Sequence, residues 1–386
     1  MVSPNPYLKI ERLFFWRHIL NYKERVSKAT ELMRTEGVDT IVLTRSSESR
    51  SLYYLTGVDR FCATYMLNVD GSNILLILEQ DLIDAEKKAH ADEIKTFNTS
   101  KSHYEAILES IKKSGLKSGR VGVEKSFLRQ SFYESLREVL PKDFKIVDIQ
   151  KITGQLRLIK SEEEIELIRK ASDIASKTIQ STAELIKPGI LENEIAATIE
   201  YELRKHGAEE TATSTFISSG YRTLSAHPPA SSRRLLKGDL VLLDVHPRIQ
   251  GYCSDLAVTL TVEYANLKLT KYVRELQRLR DEVIQNVEIG EKISNIHFRF
   301  QQELKKSGFV IPSTPFFNNV HGIGVAANDP PSFWYTNDLN LQSGIVFAFA
   351  QAPAHILHDR KSGIRFEDTY LVIDERIEKL TLFQSK

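Results

Sequence analysis

The sequence predicts a two-domain chain, an α/β domain followed by an α+β domain built from two similar halves. Three observations carry that expectation: strand-like apolar runs alternating with helical segments up to about residue 150, a capping box that opens a new helix at Ser161, and a repeat at a constant offset in the second part. At 386 residues the chain has room for two hydrophobic cores.

In the first part, residues 22–37 carry a helical pattern and 40–43 an apolar strand. Further strand-like runs at 64–68, 73–78, 120–123 and 145–147 alternate with helical segments at 82–91, 104–113 and 130–140. The α/β domain is therefore expected over 21–150, with a linker at 151–160 and the second domain over 161–386. The titratable residues of the first domain show no spacing that suggests chemistry. In the second, Ser161 is an N-cap with Glu164 at N3, and Ile165, Ile168, Ala171, Ala175 and Ile179 recur at helical spacing until Pro188-Gly189 stops the run.

Charge and cysteine usage exclude several function classes. Lys and Arg number 52 against 51 Asp and Glu, a formal net charge of +1, so no global field recruits nucleic acid or an anionic membrane. Cys62 and Cys253 form no CxxC pair, and a reducing, cytoplasmic setting is expected. The aromatic cluster Leu13, Phe14, Phe15, Trp16 is closely flanked by Lys9, Glu11, Arg12, Arg17 and His18, too short and too charged for a signal peptide or membrane span. Residues 1–20 are expected as an N-terminal extension that packs its aromatics on the body or on a partner subunit.

The chemistry concentrates in residues 238–255, GDLVLLDVHPRIQGYCSD. This reads as two strands joined by a turn at 247–251, one ending on Asp244 and the other carrying Asp255. The hairpin alone leaves two readings open, solvated turn aspartates or a pair that a divalent cation holds together. The internal repeat bears on the choice. Gly290, Ile296, Glu303-Leu304, Lys306 and Gly308 follow Gly189, Ile195, Glu202-Leu203, Lys205 and Gly207 at an offset of 101. The strands continue the parallel: residues 238–244 match 344–350, and 251–255 match 363–367. Asp255 thus has an acidic counterpart in Glu367, and Asp244 has Ala350. If the copies pack about a pseudo-two-fold axis, three carboxylates converge near it and must be paired or metal-bound, and His321, in a turn written HGIG, is either a satisfied turn histidine or the further ligand.

The stretches KSEEEIELIRKA, AHPPASSRRLLKGDLVLLD, GYCSD, HGIGV and GIRFEDT resemble the pita-bread metallopeptidases, a family that includes Xaa-Pro dipeptidase (prolidase) and aminopeptidase P. Residues 21–150, with GVDTIVLTRSSESRSLYYLTG, are similar to the N-terminal domain of the same enzymes and of creatinase. The resemblance implies a pita-bread catalytic domain and a dinuclear site for Mn, Co, Zn or Fe. It implies Asp244 as a ligand of one metal, Asp255 and Glu367 as bridges, His321 on the other metal, and His227 as a substrate-contacting or proton-shuttling histidine. Two positions depart from the family: Ala350 replaces a ligand glutamate and Asn328 a histidine. One firm metal site and one weak or empty site are therefore expected. His246 and Gln351 are candidate substitute ligands, and His355 and His358 are further candidates, His358-Asp359 reading also as a solvated loop.

The function expected is metal-dependent hydrolysis of an amide bond in a small peptide, Xaa-Pro dipeptidase-like, with His227 and Glu367 as proton-transfer groups and the chain as a homodimer. Two alternatives are a metal-free, creatinase-like hydrolase of a small nitrogenous compound and a binding module on the same fold that has lost its chemistry.

Overall fold

The structure, a computed structural model of the 386-residue chain, describes residues 20–46, 48–225, 227–263, 267–307, 309, 320–331, 339–350 and 362–383. The aromatic cluster of the expected N-terminal extension lies outside the described residues. Two compact units divide the chain, Met1–Leu156 and Arg157–Lys386. The division falls inside a helix, Gln150–Leu158, so the expected linker at 151–160 is mostly helical. Ile152 and Leu156, four residues apart, bury one side of that helix.

The first unit is a six-stranded sheet with strands β1 (Thr40–Thr44), β2 (Thr64–Asn68), β3 (Asn73–Leu78), β4 (Glu93–Phe97), β5 (Gly119–Val123) and β6 (Phe144–Asp148), in the order β4-β3-β2-β1-β5-β6. β1 runs parallel to β5 and antiparallel to β2. Val42, Met66, Leu76 and Val121 pack with Ile107 and Ile111 of the helix Ser100–Lys113 and Leu136 of the helix Gln130–Val139. The sequence reading missed β4, because an edge strand with exposed Glu93 and Thr96 carries no apolar run. It also missed the short helix Ser51–Thr56.

The second unit contains β7 (Glu210–Thr211), β8 (Phe216–Ser219), β9 (Leu240–Val245), β10 (Pro247–Ile249), β11 (Tyr252–Cys253), β12 (Leu256–Thr261), β13 (Val320–Gly322), β14 (Val346–Ala350), β15 (Glu367–Ile373) and β16 (Arg376–Lys379). Its main sheet has the order β13-β14-β15-β12-β9-β8, with β16 on β15. The helix Glu162–Ala183 begins with the expected capping box of Ser161 and Glu164, and with the helix Glu192–Lys205 it covers Ile217, Val241, Leu243, Val245 and Val258. The helices Leu267–Gln285 and Ser294–Lys306 cover Val320, Ile345, Phe347, Phe349 and Tyr370 in the same way. Each half of the duplication is thus a helix pair over its own strands, joined to the other where β12 meets β15.

Three local expectations are corrected. The turn after Asp244 is not five residues long: β10 pairs with β11, and the reversal is made by Gln250 and Gly251, both with positive φ, 43° and 81°. Asp255 does not sit in a strand but in the gap between β11 and β12. His321 is not in a turn, since it lies on β13 opposite Ala348 of β14. A three-residue strand that ends on Gly322, with Gly324 close behind, is too short to show a period of two, which is why the glycines dominated the reading.

Candidate metal centre

Strand alternation aims the site. Val241, Leu243 and Val245 face the helices, so Asp244 projects from the opposite face, as does His246 two residues on. Register then lines up a transverse row: Phe216 opposite Asp244, Asp244 opposite Ala257, Ala257 opposite Glu367, Glu367 opposite Ala350. Ala350 therefore stands beside Glu367, where the duplication placed it.

Six ionisable side chains close a ring of alternating sign. His246 Nε2 lies 3.2 Å from Asp244 Oδ1 and 3.2 Å from Asp255 Oδ1. His321 Nε2 lies 3.9 Å from Asp255 Oδ2 and 2.9 Å from Glu367 Oε1. Arg365 Nη1 lies 2.8 Å from Asp244 Oδ2, and its Nη2 donates to Glu367 Oε2. Each carboxylate thus gives one oxygen to each of two cationic or imidazole neighbours. Asp244 and Glu367 are fully buried and Asp255 is 3% exposed.

Burial and mutual charge set the protonation states. Desolvation raises the pKa of Asp244 and Asp255, with the Glu367 charge adding to both and the cations opposing it. At Glu367 desolvation also works upward, but Arg365 and then His321 outweigh it and hold the carboxyl well below its usual range. His246 loses by desolvation and gains more from Asp255 and Asp244, which hold it up at about 9. His321 is raised for the same reason, its hydrogen bond to Glu367 outweighing desolvation.

The loop that carries His227 is anchored by Glu192, a fully buried carboxylate absent from the sequence reading. Its Oε1 accepts from the Ser219 N–H (2.8 Å) and hydroxyl (2.7 Å), and its Oε2 from Arg222 Nε (3.1 Å) and from the Ser231 N–H (3.1 Å) and hydroxyl (2.6 Å). His227 itself is exposed, its ring 5.2 Å from that of Phe216, which meets the His246 ring edge-on at 6.1 Å. Desolvation and the Arg365 charge push its pKa below the usual histidine range, an effect that water contact at an exposed ring reduces. Asn328 is also exposed and takes no part in the ring, whereas its neighbour Asp329 is buried 3.5 Å from Arg157 Nε and 3.8 Å from Lys160 Nζ. Gln351, His355 and His358 lie outside the described residues.

The donor chemistry fits a divalent cation. Two triads bring their ligand atoms within 4.8 Å of one another, Asp244-His246-Asp255 and Asp255-His321-Glu367. Oδ1 of Asp244 and Oδ1 of Asp255 are buried and accept no hydrogen bond among the described residues. Two donors about 2.1 Å from one ion lie roughly 3 Å apart, close to the spacings at His246 and His321. Sequence reasoning named all these residues except Arg365. Arg365 stands two residues before Glu367, just ahead of β15, and local spacing does not say which carboxylates it meets.

Residues 166–374 match the family described as Metallopeptidase family M24, and residues 25–159 match the Creatinase/Prolidase N-terminal domain. The chain is 28% identical over 361 residues to a Xaa-Pro dipeptidase of Pyrococcus horikoshii, covering 93% of this chain and 97% of that relative. The solved prolidase structure from Pyrococcus horikoshii superposes with a TM-score of 0.81 at 25% identity, covering 94% of this chain and 99% of that one. An X-Pro aminopeptidase from Thermotoga maritima shares the fold, with a TM-score of 0.80 at 21% identity over 93% of this chain and 98% of that one.

Proposed function

The chain belongs to metallopeptidase family M24, and on that premise we propose that it is a metal-dependent hydrolase of the amide bond in Xaa-Pro dipeptides. The observation that carries this reading is the pair of triads sharing Asp255, with buried oxygens of Asp244 and Asp255 that no hydrogen bond among the described residues satisfies. Asp244, Asp255, His321 and Glu367 would hold the metal, drawn from Mn, Co, Zn or Fe. A bound divalent cation supplies Lewis acidity, polarising the scissile carbonyl and acidifying water. Arg365 holds Glu367 ionised, opposes the desolvation that raises the pKa of Asp244, and pairs with one oxygen of each, so that the other faces the cluster. Glu367, held ionised, would orient the attacking water. His227, neutral because its pKa is lowered, would accept the proton of that water and pass it to the leaving nitrogen. Hydrolysis then balances with the hydroxyl on the acyl carbon and the proton on the proline nitrogen.

The test is a metal count on purified protein beside turnover of a panel of Xaa-Pro dipeptides. Stoichiometric divalent metal and its loss in Asp244→Ala are expected. Protein that takes up none of the four metals at saturation overturns the reading. A homodimer goes with it, and light scattering measures its mass.

One observation favours a second reading. The ring alternates three carboxylates with Arg365, His246 and His321, so it is formally neutral when both imidazoles are protonated. A metal-free, creatinase-like hydrolase of a small nitrogenous compound needs a cluster balanced in this way, with His227 as its acid and base. Full turnover in a strong chelator would select it.

A further inference from the structure

We propose that His246 is a metal ligand through Nε2, forming with Asp244 and Asp255 a three-donor site that favours Zn or Co over Mn, and that Thr213 is the positioning residue that fixes its tautomer. The proposal rests on the metal-dependent reading above and adds a nitrogen to an otherwise all-carboxylate position.

Position comes first. His246 follows β9 directly, two residues beyond Asp244, and is buried at 4% exposure. Its Nε2 lies 3.2 Å from Oδ1 of Asp244 and 3.2 Å from Oδ1 of Asp255. Nε2 is thus equidistant from the two oxygens, so that an N–H there is shared between two carboxylates. A lone pair at the same atom, directed at an ion between them, satisfies all three groups.

The other ring nitrogen supports that tautomer. Thr213 Oγ1 is 2.8 Å from His246 Nδ1, and the same hydroxyl donates to the carbonyl oxygen of Ser214 at 3.3 Å. With its proton directed there, Oγ1 accepts from Nδ1–H, so that a cation displacing the Nε2 proton, which Asp255 and Asp244 otherwise hold in place, meets a lone pair at Nε2. Metal-bound histidines are held in this way, the second nitrogen donating to an oxygen that fixes the ring. Phe216, edge-on at 83° and 6.1 Å, limits rotation on the remaining side.

The imidazole also answers the gap at Ala350. That residue lies beside Glu367 in the transverse row and brings no donor atom, so the Asp255-His321-Glu367 triad has no further carboxylate from β14. The added donor enters instead on the Asp244 side. Because imidazole suits Zn, Cu, Fe and Ni while carboxylates suit Mg, Ca and Mn, the substitution shifts preference as well as count.

The experiment uses full-length protein dialysed separately against Zn, Co and Mn, with metal counted by mass spectrometry and the Co(II) d–d absorption recorded. Wild type is expected to take up metal. His246→Ala should weaken Zn and Co binding by roughly a hundredfold, change Mn binding far less and alter the Co(II) spectrum. Thr213→Val should weaken Co binding roughly tenfold to a hundredfold, the usual cost of removing such a partner, and Thr213→Ser should restore it. If His246→Ala does not fold, X-ray absorption on Co-loaded His321→Gln decides by the imidazole shell, with one imidazole, that of His246, expected in it. Bound Co with no imidazole in that variant, or His246→Ala with wild-type affinities and an unchanged spectrum, overturns this proposal and leaves the metal-dependent reading standing. Wild type that binds no metal overturns the reading beneath it as well.

Discussion

Arg365 meets Asp244 and Glu367 at once, and all three side chains are withdrawn from water. Removing one member of such a buried set leaves charges that nothing compensates, at a cost of about 3–5 kcal/mol. Arg365→Met is therefore expected to lower the stability of metal-free protein by that order, read as a shift in the urea midpoint, and saturating divalent metal should recover part of it. A variant as stable as wild type without metal would show that the ring is not ionised as drawn. The three carboxylates of this cluster were legible in the sequence because Asp244 closes an apolar run and the duplication sets Asp255 against Glu367. Arg365 was not, although it stands in the motif GIRFEDT: its role depends on which carboxylates cross β12 and β15 to meet it, and register across a sheet is not written in local spacing.

The hairpin β10-β11 is the element on which the Asp244 and Asp255 sides of the site turn. Its two reversing residues both take positive φ, an arrangement that favours Asn-Gly, and here Gln250 occupies the first place at φ 43°. A β-carbon with a long side chain is disfavoured there, whereas asparagine tolerates the left-handed region. Gln250→Asn is expected to raise stability by up to about 1 kcal/mol, since the Gln250 backbone N–H keeps its 2.9 Å bond to Glu209 Oε1. Unchanged or lower stability in chemical denaturation would refute the assignment of strain to this position. The sequence reading placed a turn at 247–251 because Pro247 reads as a breaker. Proline is tolerated at the first residue of a short strand, and β10 begins on it. His321 was misplaced by the same weighting, with glycines outvoting a three-residue strand.

At the scale of the molecule, the two units place their buried histidines in opposite circumstances. In the second unit His246 and His321 are surrounded by carboxylates, whereas His103 in the first packs against neutral neighbours. Its ring stacks on Phe97 at 4.1 Å, and its Nε2 shares a 3.0 Å hydrogen bond with the Thr64 hydroxyl. Desolvation, with no opposing charge, lowers its pKa to about 4. The consequence for folding has a definite sign. Between pH 6.5 and 4 the unfolded chain binds a proton at this residue that the folded chain does not, so its contribution is present above pH 6.5 and lost as pH falls toward 4. The loss reaches about 3 kcal/mol at most at the lower limit. His103→Phe keeps the stack and removes the titration, so its urea midpoint should fall less than that of wild type between pH 7 and pH 4.5, whatever the offset caused by the unpaired Thr64 hydroxyl. Equal slopes for the two proteins would mean that His103 charges inside the fold, and a His103 proton resonance titrating near its ordinary midpoint would show it directly.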